Sequence, residues 1–326
     1  MSSVSSPCYP ESWLQAWEWQ SHQVRYITPE LSNTKPTVVL IHGFGACKEH
    51  WRHNVSALAS QWDVVALDLV GFGSSAKPKA TLDGETPEPG SLRYGIDGWA
   101  DQVAAFVNEH LKTPVVLVGN SIGGVVALTA AQKLETQGRS AAGVVLVDCA
   151  QRAIDDKRVD EQPFGRRLSR PLLKALVKKR WLTTALFRSL AQPPVIRAVL
   201  KQAYPTGGNV DDTLVNVLHA ATQDAGASES FRGFINLFND RLAPDVLKEL
   251  STPVSVLWGS RDPWEPIEEA KAWTSIPCVQ SFDSLEGLGH CPHDEAPERV
   301  NPLLIERITA LLTACLLYTS PSPRDS

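Results

Sequence analysis

At 326 residues and 35.6 kDa, the chain accommodates one large α/β domain with an insertion, or two domains. Its hydrophobic share of 43% and charged share of 21% are those of a globular protein, and a net charge of −5 gives no global attraction to nucleic acid. The six cysteines are scattered without a C-x-x-C pair, so neither a disulfide framework nor a zinc knuckle is indicated and reduced thiols are expected.

Residues 1–11 are polar and carry neither a basic n-region nor an apolar h-region. No run approaches about eighteen consecutive apolar residues. The expectation is therefore a cytoplasmic protein without a signal peptide or transmembrane segment. Aromatic and β-branched residues alternate with polar ones over 17–26, which predicts an early hairpin strand. The continuous apolar run 36–41 predicts a parallel strand covered on both faces, ending in His42-Gly43-Phe44-Gly45. A helix over 51–61 and a second buried strand over 62–67 follow. The loop 68–75 contains Gly71 and Gly73, but the spacing of a dinucleotide fingerprint fails at Ala76, so it is read as structural. Residues 81–90 form a Pro/Gly-rich surface excursion, and helical periodicity resumes over 97–110.

The apolar run 115–118 meets Gly119-Asn120-Ser121-Ile122-Gly123-Gly124, after which a helical pattern begins. Strand, tight turn and helix in that order make a nucleophile elbow, with glycines where the backbone must pass close to the serine. A further strand spans 142–148, and alternating strands and helices predict a mostly parallel, doubly wound sheet. From residue 151 the pattern changes. Positions 152–201 hold thirteen Lys or Arg against four Asp or Glu, a net +9, so the remainder of the chain carries −14. Leu168, Leu172 and Leu176 recur at helical spacing among lysines and arginines, and Trp181 and Phe187 continue the apolar side. This reads as a helical cap over 151–239, inserted after the sixth core strand. It divides the core into 1–150 and 240–315, and its basic face is either solvated or directed at a membrane surface or lipid-like substrate.

Sheet character returns over 253–259, followed by Asp262-Pro263-Trp264. The last strand, 278–285, leads to Gly289-His290, and a helix over 297–313 closes the fold. The terminal Thr-Ser-Pro-Ser-Pro-Arg-Asp-Ser is low-complexity, and 316–326 is read as a non-native tail.

A serine hydroxyl needs a base, and the base needs an orienting acid. Ser121, His290 and Asp262 supply these in the chain order nucleophile, acid, base. The backbone N–H groups of Phe44 and Ile122 are the expected oxyanion donors. Asp148, also at a strand end, is an alternative acid. His290 and His293 suggest a metal pair only weakly, since no third ligand is visible; neither metal nor cofactor is expected. Cys291 reads as a packing residue.

Together these motifs resemble the α/β-hydrolase superfamily over about residues 17–314. Ser121 stands where haloalkane dehalogenases and epoxide hydrolases carry aspartate, so their chemistry is not implied. Gly-Asn-Ser-x-Gly-Gly is similar to both pheophytinase-like hydrolases of photosynthetic lineages and C–C bond hydrolases of ring-cleavage products. Asp262-Pro263-Trp264 and Gly289-His290-Cys291-Pro292-His293 resemble the former; the latter usually carry tryptophan where this chain has Cys291. The resemblance implies a serine esterase acting on a hydrophobic ester such as a phytyl ester, with Trp181, Phe187 and Trp264 as pocket candidates. A hydrolase-like protein that binds without catalysis is the reading from a second class. Oligomeric state is left open.

Overall fold

The computed structural model describes residues 8–319. Its strands are β1 Leu14–Trp19, β2 His22–Ile27, β3 Thr37–Ile41, β4 Asp63–Leu67, β5 Val115–Ser121, β6 Gly143–Cys149, β7 Val254–Gly259 and β8 Val279–Leu285. They form one sheet in the order β1-β2-β4-β3-β5-β6-β7-β8. β2 runs antiparallel to both neighbours, and every pairing from β4 to β8 is parallel. The 17–26 pattern therefore resolves into a hairpin, closed by Gln20 and Ser21, both at positive φ. This is the α/β-hydrolase fold, with the sheet expected from the alternation of elements.

The continuous apolar runs are explained by two cores. Val39, Ile41, Val65, Leu67, Leu117 and Leu146 face one side, while Val38, Leu40, Val64, Ala66, Val116 and Val145 face the other. Alternate residues of each strand thus enter different cores, and both must be apolar. The first core is closed by α2 Ile96–His110 and α3 Ile122–Thr136, the second by α1 Val55–Ala59 and the C-terminal helix.

Between β6 and β7 lie α4 Phe164–Val177, α5 Arg180–Leu190, α6 Pro193–Ala203, α7 Asp212–Thr222, α8 Ala227–Ile235 and α9 Ala243–Glu249. The first five occupy the stretch read as a cap. α9 differs: Ala243, Val246 and Leu247 belong to the core beside α3. After β7 come α10 Ile267–Lys271, α11 Pro292–Glu295 and α12 Pro297–Thr319.

Two predicted helices differ from those observed. The 51–61 segment is a 3-10 turn, Lys48–Trp51, followed by the short α1. Long-range bonds hold the break open: Asn54 Nδ2 donates to the His293 carbonyl at 2.9 Å, and Arg52 Nε donates to Asp294 at 2.9 Å. The closing helix continues through 316–319, which the sequence assigned to a tail; the tail beyond 319 lies outside the described residues. Pro297–Leu317 is long and apolar enough to cross a membrane by length and composition alone, a test that a core helix also passes. In the fold its Val300, Leu304, Ile308 and Leu311 are buried in the second core.

Candidate active site

Parallel pairing brings several strand ends to one edge of the sheet. Ile41 pairs with Gly119, Ser121 with Cys149, and Gly259 with Leu285. The loops carrying Phe44, Ser121, Asp148, Asp262 and His290 all leave from that edge.

Ser121 ends β5 with φ 57° and ψ −126°, a left-handed conformation rarely adopted by a residue bearing a Cβ. Such a conformation costs about 1–3 kcal/mol and must be held by its surroundings. The helix α3 starts on the next residue, and its backbone folds back against the strand. A Cβ at Gly119 would lie 2.1 Å from the Gly123 carbonyl oxygen, and one at Gly123 would lie 2.4 Å from that of Ile41. Only glycine fits either position, so the turn stays sharp and the serine side chain stands clear of it.

His290 and Asp262 meet directly: Nδ1 of the imidazole lies 2.7 Å from Oδ2 of the carboxylate. The Asp262 side chain is fully shielded from solvent. Its other oxygen accepts from the N–H groups of Trp264 and Glu265, at 2.8 and 3.1 Å, which fixes the carboxylate plane. The loop of His290 is held at its backbone. His290 N–H donates to the Ala203 carbonyl at 2.9 Å, and Asn120 Nδ2 donates to the His290 carbonyl at 3.0 Å and to that of Val147 at 3.1 Å. Asn120 thus ties the elbow, the neighbouring strand and the histidine loop together. The Trp264 ring packs edge-on to the imidazole, with centroids 4.9 Å apart.

The glycine loop after β3 is oriented by His42, which is fully buried. Its Nε2 accepts the Leu69 N–H at 3.1 Å, so Nδ1 carries the proton and donates to the Gly43 carbonyl at 2.8 Å. Burial holds this imidazole below its ordinary pKa, consistent with the neutral form. In a trans peptide the carbonyl of Gly43 and the N–H of Phe44 point opposite ways. Anchoring the carbonyl therefore directs that N–H away from His42. Ile122 opens α3, and its N–H is one of the first-turn amides without a carbonyl partner within the helix.

The rival residues sort themselves by environment. Asp148 is buried with φ 45°, and its Oδ1 accepts the Gly259 N–H at 2.8 Å. Burial, then the Asp262 carboxylate beside it, push its carboxyl well above the usual range, which favours the protonated form. Glu265, which sequence reasoning passed over, accepts the Gln151 N–H at 2.9 Å and is pushed up to about 7, chiefly by burial. Cys291 is buried, and burial raises its thiol well above the ordinary value. His293 does not join His290; its ring lies 4.1 Å from that of Trp51 and 4.9 Å from that of His50. Among the described residues no group of three or more His, Cys, Asp or Glu side chains converges as a cation site.

The buried histidines carry a stability prediction. His50 donates from Nε2 to the Tyr204 hydroxyl at 2.6 Å, and that hydroxyl donates to Asp294 at 2.9 Å. Burial lowers His50 to about 4 and holds His293 well below its ordinary value. An unfolded chain binds protons at these sites near pH 6.5, while the folded chain does not until about pH 4. Stability is therefore lost as pH falls from about 6.5 to 4, with roughly 3 kcal/mol attributable to His50. Neither ring nitrogen of His293 has a hydrogen-bond partner among the described residues, so His293→Phe is expected to be tolerated at pH 7 and to flatten this slope. Urea denaturation at pH 5 and 7 checks it; an unchanged slope in the variant overturns the assignment.

Of the three pocket candidates, two border this edge. Trp264 touches His290, and Phe187 packs on Phe231 at 5.4 Å. Phe231 and Phe234, on α8, in turn meet Phe44, the latter stacked at 3.7 Å. An aromatic wall thus covers the oxyanion loop. Its α8 members were missed in the sequence, although their spacing of three places them on one helix face. Trp181 is corrected: it is 70% exposed and makes no ring contact with this wall among the described residues.

The model of the alpha/beta hydrolase family matches residues 38–303. Chloroplastic pheophytinase of Arabidopsis thaliana is 29% identical over 308 residues, covering 82% of this chain and 60% of that protein. The chain thus spans three fifths of that relative's length. The uncharacterized hydrolase YugF of Bacillus subtilis is 27% identical, covering 82% of this chain and 88% of that one. Among solved structures, the epoxide hydrolase CorEH superposes with a TM-score of 0.70 at 18% identity, covering 91% of this chain and 99% of that one. A serine hydrolase involved in carbazole degradation gives 0.67 at 18% identity, covering 91% and 98%. At these identities the structural likeness speaks for the fold alone.

Proposed function

The chain belongs to the α/β-hydrolase family, and from that premise we propose that it is a serine hydrolase that cleaves a carboxylic ester of a hydrophobic substrate through an acyl-enzyme. The observation that carries this reading is the 2.7 Å bond from His290 to Asp262, on the sheet edge where Ser121 tops its elbow. With Nδ1–H donated to the carboxylate, Nε2 is left unprotonated and able to act as base. It takes the Ser121 proton as Oγ attacks the ester carbonyl. The N–H groups of Phe44 and Ile122 receive the oxyanion. His290 then protonates the leaving alcohol, and a water activated by the same imidazole hydrolyses the acyl-enzyme. Asp148, whose buried carboxyl is held above the usual range, is a neighbour of the acid and not its substitute.

The aromatic wall of Phe44, Phe187, Phe231 and Phe234 favours a large apolar group, and the likeness to pheophytinase favours a phytyl ester of a chlorophyll-type pigment. Phytol release from pheophytin, measured beside p-nitrophenyl ester turnover, tests both levels of the proposal. Both activities are expected, with pheophytin preferred. Ester turnover without phytol release overturns the phytyl assignment, and turnover of a ring-cleavage diene alone overturns the esterase reading.

A further inference from the structure

The cap helix α4 is amphipathic in the reverse sense to a helix packed on a water-soluble protein. Phe164, Leu168, Leu172 and Leu176 follow one another at intervals of four and form one stripe. That stripe is turned outward, with Phe164 78% and Leu168 74% exposed. The opposite stripe, Arg170 and Lys174, faces the protein. Arg170 donates to Asp156 at 2.9 Å from Nε, and Lys174 bonds the same carboxylate at 2.6 Å. Both cations also lie over the Phe238 ring, at 5.4 and 4.9 Å. The charged face is the satisfied one, and the leucine face meets solvent.

The pattern continues beyond α4. Trp181, Leu186 and Leu190 on α5 and Val199 on α6 are exposed, as is Ile154 in the segment that precedes α4. Most of the large apolar side chains exposed in the described residues lie in this one region. A concentration of exposed apolar side chains of this kind marks an interaction site. The charges around it are equally one-sided. Lys178, Lys179 and Arg188 have no ion pair among the described residues, and 152–201 carries a net +9 against −14 elsewhere.

We propose that the α4–α5 face docks on a lipid bilayer bearing anionic headgroups, with the leucine stripe and Trp181 entering the interface and the unpaired lysines meeting the headgroups. Apolar burial and attraction to negative charge are the two contributions by which amphipathic helices bind such a surface. A second copy of the chain presenting the same face is disfavoured, because it would set two basic rims against each other. The inference stands on the cap alone and does not require the hydrolytic reading.

Sedimentation with vesicles tests it on the full chain. Wild type is expected to bind phosphatidylcholine vesicles containing phosphatidylglycerol, to bind pure phosphatidylcholine vesicles more weakly, and to be released from the anionic vesicles as salt rises. Lys178→Gln with Lys179→Gln is expected to weaken partitioning to anionic vesicles about thirty-fold while leaving the weaker binding to neutral ones. Leu168→Ser with Leu172→Ser should weaken binding to both by about a hundred-fold. Both pairs are exposed and apart from the candidate active site, so circular dichroism and turnover of a soluble ester should be unchanged. Failure of the wild type to sediment with anionic vesicles overturns the proposal, as does binding that neither pair weakens. A concentration-dependent dimer abolished by the leucine pair, without vesicle binding, would assign the face to a second copy.

Discussion

Ser121→Ala is expected to lower the kcat of ester hydrolysis by about four to six orders of magnitude. Removing the nucleophile of a serine hydrolase disables the whole constellation, leaving only the contribution of the oxyanion donors and substrate binding. The change removes one hydroxyl from a partly buried side chain, so the fold should persist, which circular dichroism checks. A companion variant separates chemistry from strain. Ser121 sits at φ 57°, where a Cβ is unfavourable. Ser121→Gly should therefore be equally inactive and yet more stable, by about 1 kcal/mol. Comparable turnover by wild type and both variants would overturn the nucleophile assignment and favour a hydrolase-like binding protein.

Asp262→Asn should lower kcat by about 10⁴-fold, because the amide no longer accepts and orients the Nδ1–H of His290 or stabilises the imidazolium that forms during attack. Asp148→Asn provides the contrast. The environment of Asp148 favours its protonated form, and its Oδ1 accepts the Gly259 N–H at 2.8 Å. An asparagine carbonyl accepts that bond equally well, so activity within about tenfold of wild type is expected. If the two asparagine variants lose activity to the same degree, the two aspartates share the orienting role and the assignment of Asp262 alone fails.

Glu265 shows why part of the site was hidden in the sequence. It lies three residues past Asp262 in an ordinary polar loop, and nothing in its local pattern marks it. Burial raises its pKa, against the opposing effect of the hydrogen bond it accepts from Gln151, a residue more than a hundred positions away. The network of His50, Tyr204 and Asp294 is of the same kind, assembled from three distant segments. The helix assigned to 51–61 failed for a related reason: Arg52 and Asn54 bond the α11 region, and those long-range contacts override local propensity. The cap misled most. Spacing identified the leucine stripe of α4, but a period tells which residues share a face, not which way that face is turned. Trp181, a pocket candidate that the resemblance implied, stands at the surface.

What the sequence determined by itself was whatever rests on local backbone and steric demands. Apolar β-branched runs fixed the buried strands. The glycines flanking Ser121 fixed the elbow, since no other residue fits so close an approach, and the order of Ser121, Asp262 and His290 fixed the candidate constellation. Tertiary structure alone decided matters set by distance and dielectric. It brought His290 within 2.7 Å of Asp262, buried Asp148 beside them so that its pKa is raised, and turned the leucines of α4 outward. Hydrogen bonding and desolvation act between atoms close in space, and chain order constrains that closeness only through the fold.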